Sequence, residues 1–132
     1  MQRRDLIATA ERLTDRGETL VIVLTERPGI GMLSRPSAEM NSMLVQYSID
    51  HDEYRQRFNQ IVTEVAAQRE YIRTIDGDSL FCGDAPGVGL GPLCDDTVDG
   101  NVMRPDGNHV DNDLFGAQVA EQLLDKMRAV VS

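Results

Sequence analysis

An α/β fold with parallel strands is predicted by three observations. Residues 20–24 (Leu-Val-Ile-Val-Leu) form a continuous apolar run between turn signals, the pattern of a strand buried on both faces. Residues 71–75 (Tyr-Ile-Arg-Thr-Ile) form a second short strand. Helix-periodic stretches precede the first strand, separate the two and close the chain. The order helix, strand, helix, strand, loop, helix belongs to alternating α/β architectures.

Each element has a local cause. In residues 3–16, Leu6, Ile7, Ala10 and Leu13 share one helical face, and Gly17 supplies a stop. The first strand, 19–25, runs into Thr25-Glu26-Arg27-Pro28-Gly29. Residues 28–50, with Pro28, Gly29, Gly31, Pro36 and a methionine-rich filling, read as irregular, with Met32, Met40 and Met43 as loop packing. Asp50 is a plausible cap for a helix over 50–69, where Tyr54, Phe58, Ile61, Val62, Val65 and Ala66 recur at helical spacing. His51, beside Asp50 and Asp52, then sits in a solvated cap region. Residues 76–109 read as one long loop. The last helix, 112–131, turns Leu114, Phe115, Val119, Leu123, Met127 and Val130 inward. Strands 21–25 and 71–75 are expected to be parallel neighbours, with the 53–69 helix crossing between them.

Two strands are too few for a sheet standing alone, so residues 1–132 read as a single partial domain. No repeat, linker or low-complexity segment interrupts it.

Composition narrows the function. The chain has 132 residues, 41% hydrophobic and 27% charged, so it can bury a core. It has no Trp and only 5% aromatics, and that core must be aliphatic. The net charge of −9 and scattered basic residues exclude a nucleic-acid partner, which needs a basic face. No segment approaches the run of about 20 apolar residues that spans a membrane. Met1-Gln2-Arg3-Arg4-Asp5 opens no signal peptide, and the chain by itself is expected in the cytoplasm. Cys82 and Cys94 lie in one Gly-rich loop and can close it; two reduced loop thiols are the alternative. Without a nearby His they do not complete a zinc site. No cofactor or metal is expected.

The chemistry-bearing stretch is Asp106-Gly107-Asn108-His109, leading at once into the last helix. An Asp three residues before a His is a compact acid–base pair. The His can take a proton from a nucleophile, and the Asp can fix its tautomer and stabilise its charged form. On its own, a His in a polar loop is as simply read as exposed, and the Asp as a turn residue.

The ordered set of elements resembles the C-terminal half of an SGNH-type hydrolase domain. The closer likeness is to the version fused to bacterial membrane O-acyltransferases of the acyltransferase family 3 type. The residues that carry it are the strand ending in Pro28, Tyr54-Arg55-Gln56-Arg57-Phe58, the strand into Asp76 and Leu80-Phe81-Cys82 with Cys94. Asp99-Gly100, the block from Asp106 to His109 and Gly116-Ala117 complete the set. The likeness covers most of residues 18–127. It implies a partial three-layer α/β/α, flavodoxin-like domain lacking its N-terminal strands, with Asp106 and His109 as catalytic residues. It further implies an acyl donor and a carbohydrate acceptor, and a membrane acyltransferase domain or another chain completing the sheet. The setting would be the extracytoplasmic face of the membrane, and Cys82 would pair with Cys94.

Two features depart from the family pattern. The spacing from His109 to Gly116-Ala117 is two residues longer. The nucleophilic Ser and the oxyanion-hole Gly and Asn precede the matched region, and residues 1–17 have no room for them. Gly77-Asp78-Ser79-Leu80 spells a serine-hydrolase signature, but in the cysteine loop rather than after an opening strand. Ser79 is therefore read as a turn or N-cap residue. The expected function is the acid–base part of an acyl-transfer or ester-hydrolysis domain, inactive alone.

The alternative is a non-catalytic interaction or calcium-binding domain. Asp95 to Asp106 resembles the front of a calcium loop, with Asp95 at position one, Asp99 at five, Gly100 at six and Asp106 at twelve. Thr97 at position three and Pro105 before Asp106 break the pattern.

Overall fold

Strands β1 (Leu20–Val23) and β2 (Ile72–Ile75) pair in parallel, Leu20 opposite Ile72 and Val23 opposite Ile75, as expected from the sequence. This is seen in a computed structural model that describes residues 2–15, 17–83 and 87–131. Helix α1 (Arg3–Leu13) precedes β1, and α2 (Ala38–Ala67) connects the two strands. Leu6 and Ala10 of α1, Val62 and Val65 of α2, and Ile72 of β2 form the buried core, with Leu20, Ile22 and Phe58 packed around it. Ile72 and Ile75 lie three positions apart and so face opposite sides of the strand. Both are buried, so β2 is covered on both faces. Helix α4 (Asn112–Val131) also packs against β2. No helix among the described residues is long and apolar enough to cross a membrane.

Four expectations need correcting. First, residues 28–50 are not irregular. Ile30–Leu33 form a short 3₁₀ turn, and α2 begins at Ala38, not Asp50. Ser37 is its N-cap, its hydroxyl accepting the Met40 N–H at 3.3 Å. From Ser37 to Ala67 there is no Gly or Pro, and strong helix formers such as Ala38, Glu39, Met40 and Leu44 carry the helix by local propensity. The period is hidden because Met40, Met43, Tyr47 and Tyr54 are exposed. Met40 and Met43 therefore do not pack a loop, although Met32 is buried. His51 lies mid-helix, outside any cap, its ring stacked on Tyr47 at 3.9 Å.

Second, the 76–109 loop contains structure. A one-turn helix, α3 (Asp78–Phe81), follows β2 directly. Strands β3 (Thr97–Val98) and β4 (Asn101–Val102) form a tight hairpin. Asp99 and Gly100 turn it, both at positive φ (51° and 81°), the requirement of a two-residue hairpin turn.

Third, α4 buries only Phe115 fully. Val119, Leu123 and Val130 are partly buried, while Leu114 and Met127 are exposed. A two-stranded sheet is too narrow to cover a 20-residue helix.

Fourth, the 95–106 stretch folds as a hairpin followed by the Asp106 turn rather than as one open loop. The Asp95 carboxylate accepts the Thr97 N–H, Asp99 sits in the hairpin turn and Asp106 is bound to His109. Among the described residues no group of three or more His, Cys, Asp or Glu side chains converges to hold a metal.

Candidate acid–base site

The site is built on a turn whose backbone is fixed before its side chains act. The N–H of Gly107 donates to the Arg104 carbonyl at 2.8 Å, and the Gly107 carbonyl accepts from the Gly29 N–H at 2.9 Å. Gly107 has φ +90°, and a Cβ there would sit 2.9 Å from both Cβ and N of Met32. Only glycine fits so close to the 3₁₀ turn. Gly31 is constrained likewise, since a Cβ on it would overlap the Arg104 carbonyl oxygen. The 29–34 and 104–107 segments are thereby locked backbone to backbone. Ser34 Oγ adds a bond to the Pro105 carbonyl at 3.1 Å.

From this base Asp106 organises the residues after it. Its Oδ1 accepts the N–H groups of Asn108 at 2.9 Å and His109 at 2.7 Å. Its Oδ2 lies 2.6 Å from Nδ1 of His109. The His109 N–H, then the imidazole, then the Asn108 N–H hold the Asp106 carboxyl well below the usual carboxylate range, outweighing a small burial effect. An ionised carboxylate only accepts, so Nδ1 carries the proton and Nε2 is the basic nitrogen. The His109 side chain is 86% exposed, so Nε2 is open to an incoming group. Chemically, an imidazole oriented in this way is able to accept a proton at Nε2.

Behind the turn is a buried ionic cluster that the sequence did not announce. Arg104 and Asp96 form a closed pair at 2.7 Å. Arg104 also donates to the Arg27 carbonyl at 2.7 Å, and its guanidinium lies 4.7 Å from the centre of the Phe81 ring. Its Nη2 lies 3.6 Å and 3.5 Å from the sulfurs of Cys82 and Cys94. Those cysteines form a disulfide, with Cα atoms 5.7 Å apart.

Asn108 also lines a cleft of about 190 Å³ whose far wall includes Tyr47, Ser48, His51, Asp52 and Arg55 of α2. Asp52 accepts from Arg55 at 2.7 Å. Burial raises the Asp52 carboxyl, but bonds from Arg55 and Gln56 and the charges of Arg55 and Arg27 bring it below its usual value. Reading 28–50 as irregular hid this wall. The absence of Gly and Pro after Ser37 was the signal that could have found it.

Ser79 lies in α3, directly after β2, not within an unstructured loop. Its hydroxyl donates to the Asp76 carbonyl at 2.6 Å, the behaviour of a turn residue. Among the described residues no hydrogen bond joins it to His109. Asp78, its neighbour, accepts the Arg27 N–H at 2.7 Å and ties α3 to the segment after β1. No family model, curated protein or solved structure matches the chain.

Proposed function

We propose that this chain supplies the acid–base half of an acyl-transfer or ester-hydrolysis site, in a partial three-layer domain of SGNH type. The observation that carries the reading is the 2.6 Å bond between His109 Nδ1 and Asp106 Oδ2, in a turn that also fixes the His109 backbone. The parallel β1–α2–β2 unit and the Cys82–Cys94 disulfide are in keeping with it.

In this reading a serine hydroxyl supplied from outside the chain attacks an acyl carbon. His109 Nε2 takes its proton, and Asp106 stabilises the imidazolium. His109 then returns the proton to the leaving group. Backbone N–H, Gly and Asn groups, also from outside, hold the oxyanion. The acceptor is a carbohydrate hydroxyl, and a membrane acyltransferase domain or another chain completes the sheet on the extracytoplasmic side. Nitrogen-15 NMR of the imidazole tests the site directly. The neutral imidazole is expected to carry its proton on Nδ1 and to leave Nε2 bare. A proton fixed on Nε2 would remove the base and overturn the reading.

A further inference from the structure

The acid–base turn has a second neighbour. An apolar groove of about 560 Å³ is walled by Ile30, Leu33, Val88, Leu90, Val102 and Pro105. Its volume falls in the range of small-molecule sites, about 300–1,000 Å³. Among the described residues of its lining the one polar side chain, Ser34, spends its hydroxyl on the Pro105 carbonyl. The groove therefore offers an incoming ligand aliphatic contact from its side chains. Val88 and Leu90 on its rim are 39% and 38% exposed, apolar surface that a ligand would remove from water.

Its position matters as much as its lining. Pro105 is a groove wall and the residue before Asp106. Gly31, also in the lining, lies against the 104–105 backbone. Pro105 thus joins the groove wall to the turn that holds His109.

We infer that this groove holds the aliphatic chain of a neutral acyl ester, and that it selects chains longer than acetyl. The inference rests on the acyl-transfer reading above and adds the class of acyl group. An acetyl group would leave most of the groove unfilled, whereas a longer chain covers Val88 and Leu90. The net charge of −9 disfavours a free fatty acid anion and favours an uncharged ester.

The test uses methyl-detected carbon-13 NMR of the 132-residue protein, titrated with methyl hexanoate and with methyl acetate. Saturable shifts are expected at Ile30, Leu33, Val88, Leu90 and Val102 with methyl hexanoate. Methyl acetate, with four fewer methylenes to bury, is expected to bind on the order of a hundredfold more weakly. Leu90→Glu, on the exposed rim, should abolish hexanoate binding while leaving the spectrum of the β1–α2–β2 core unchanged. Equal affinity for the two esters, shifts that map elsewhere, or unchanged binding by Leu90→Glu with that core spectrum intact would overturn the inference. Failure of the groove with His109 still protonated on Nδ1 would sink chain selection and leave acyl transfer standing. Hexanoate bound with His109 protonated on Nε2 would leave the groove's ligand class standing and remove acyl transfer.

Discussion

Arg104 Nε donates to Asp96 Oδ2 at 2.7 Å, and both side chains are closed off from solvent. Such a pair recovers its desolvation only while both members are present. Among the described residues Asp96 Oδ1 has no hydrogen-bond partner, and Arg104 is the cation that balances the carboxylate. Arg104→Met should cost about 3–5 kcal/mol, because it strands a buried charge. Arg104→Met with Asp96→Leu should recover much of that loss. Urea unfolding of the single and double variants measures both.

The disulfide stabilises by restricting the unfolded chain. Closing a loop of this length, with a sequence separation of 12, contributes about 3 kcal/mol. Thiol titration under denaturing, non-reducing conditions should find no free thiol at Cys82 or Cys94. Reduction should lower the urea midpoint by the matching amount, read from the same unfolding curves.

Gly107→Ala should damage the site more than its small size implies. The positive φ costs an L-residue about 1–2 kcal/mol, and the added Cβ presses on Met32. Relief requires the turn to leave the 3₁₀ segment, breaking the Gly29–Gly107 bond. The expected readout is destabilisation together with loss of the fixed His109 tautomer in nitrogen-15 spectra.

Asp106 sets an acid limit on the turn. Its folded pKa lies below the unfolded value of about 3.9. Its contribution to stability is therefore full above about pH 4, and is lost as pH falls below that through the folded value. Carbon-13 titration of the Asp106 carboxyl should show it still ionised where an ordinary aspartate is half protonated. A midpoint at or above pH 4 would contradict the bonding seen in the turn.

No ester should be hydrolysed at an enzymatic rate by this chain alone. A base without a nucleophile and oxyanion hole forfeits several orders of magnitude. Turnover of p-nitrophenyl acetate should match background, unchanged by His109→Ala or Ser79→Ala. Turnover abolished by both would make Ser79 the nucleophile of a complete site.

The parallel strands were legible in sequence because residues 20–24 and 71–75 are apolar runs bounded by turn signals. Asp106 and His109 were legible because they lie three positions apart, so a local turn suffices to join them. The first half of α2 was not, because Met40, Met43, Tyr47 and Ile49 face solvent while Asn41 and Ser48 lie on its inward face, which blurs the amphipathic period. The β3–β4 hairpin was missed although Asp99-Gly100 is a strong hairpin signal, since its strands are only two residues long. Arg104 and Asp96 were unreadable, since nothing local distinguishes a buried ion pair from two solvated charges.

The length of α2 has a mechanical consequence. Its C-terminal half is clamped in the core at Val62 and Val65, while its N-terminal half overhangs the four-residue strands. On the overhang, the Ser48 hydroxyl meets Met32 Sδ at 3.0 Å, and Met32 in turn abuts Gly107. A pivot of the helix about that core would carry Ser48, and with it Met32, against the turn that holds His109. A tilt of roughly 3° about Val62 moves Ser48 by about 1 Å, given about 21 Å of helix between them. Through Ser48 and Met32, the end of the helix anchored at Val62 is joined by continuous packing to the turn that holds His109.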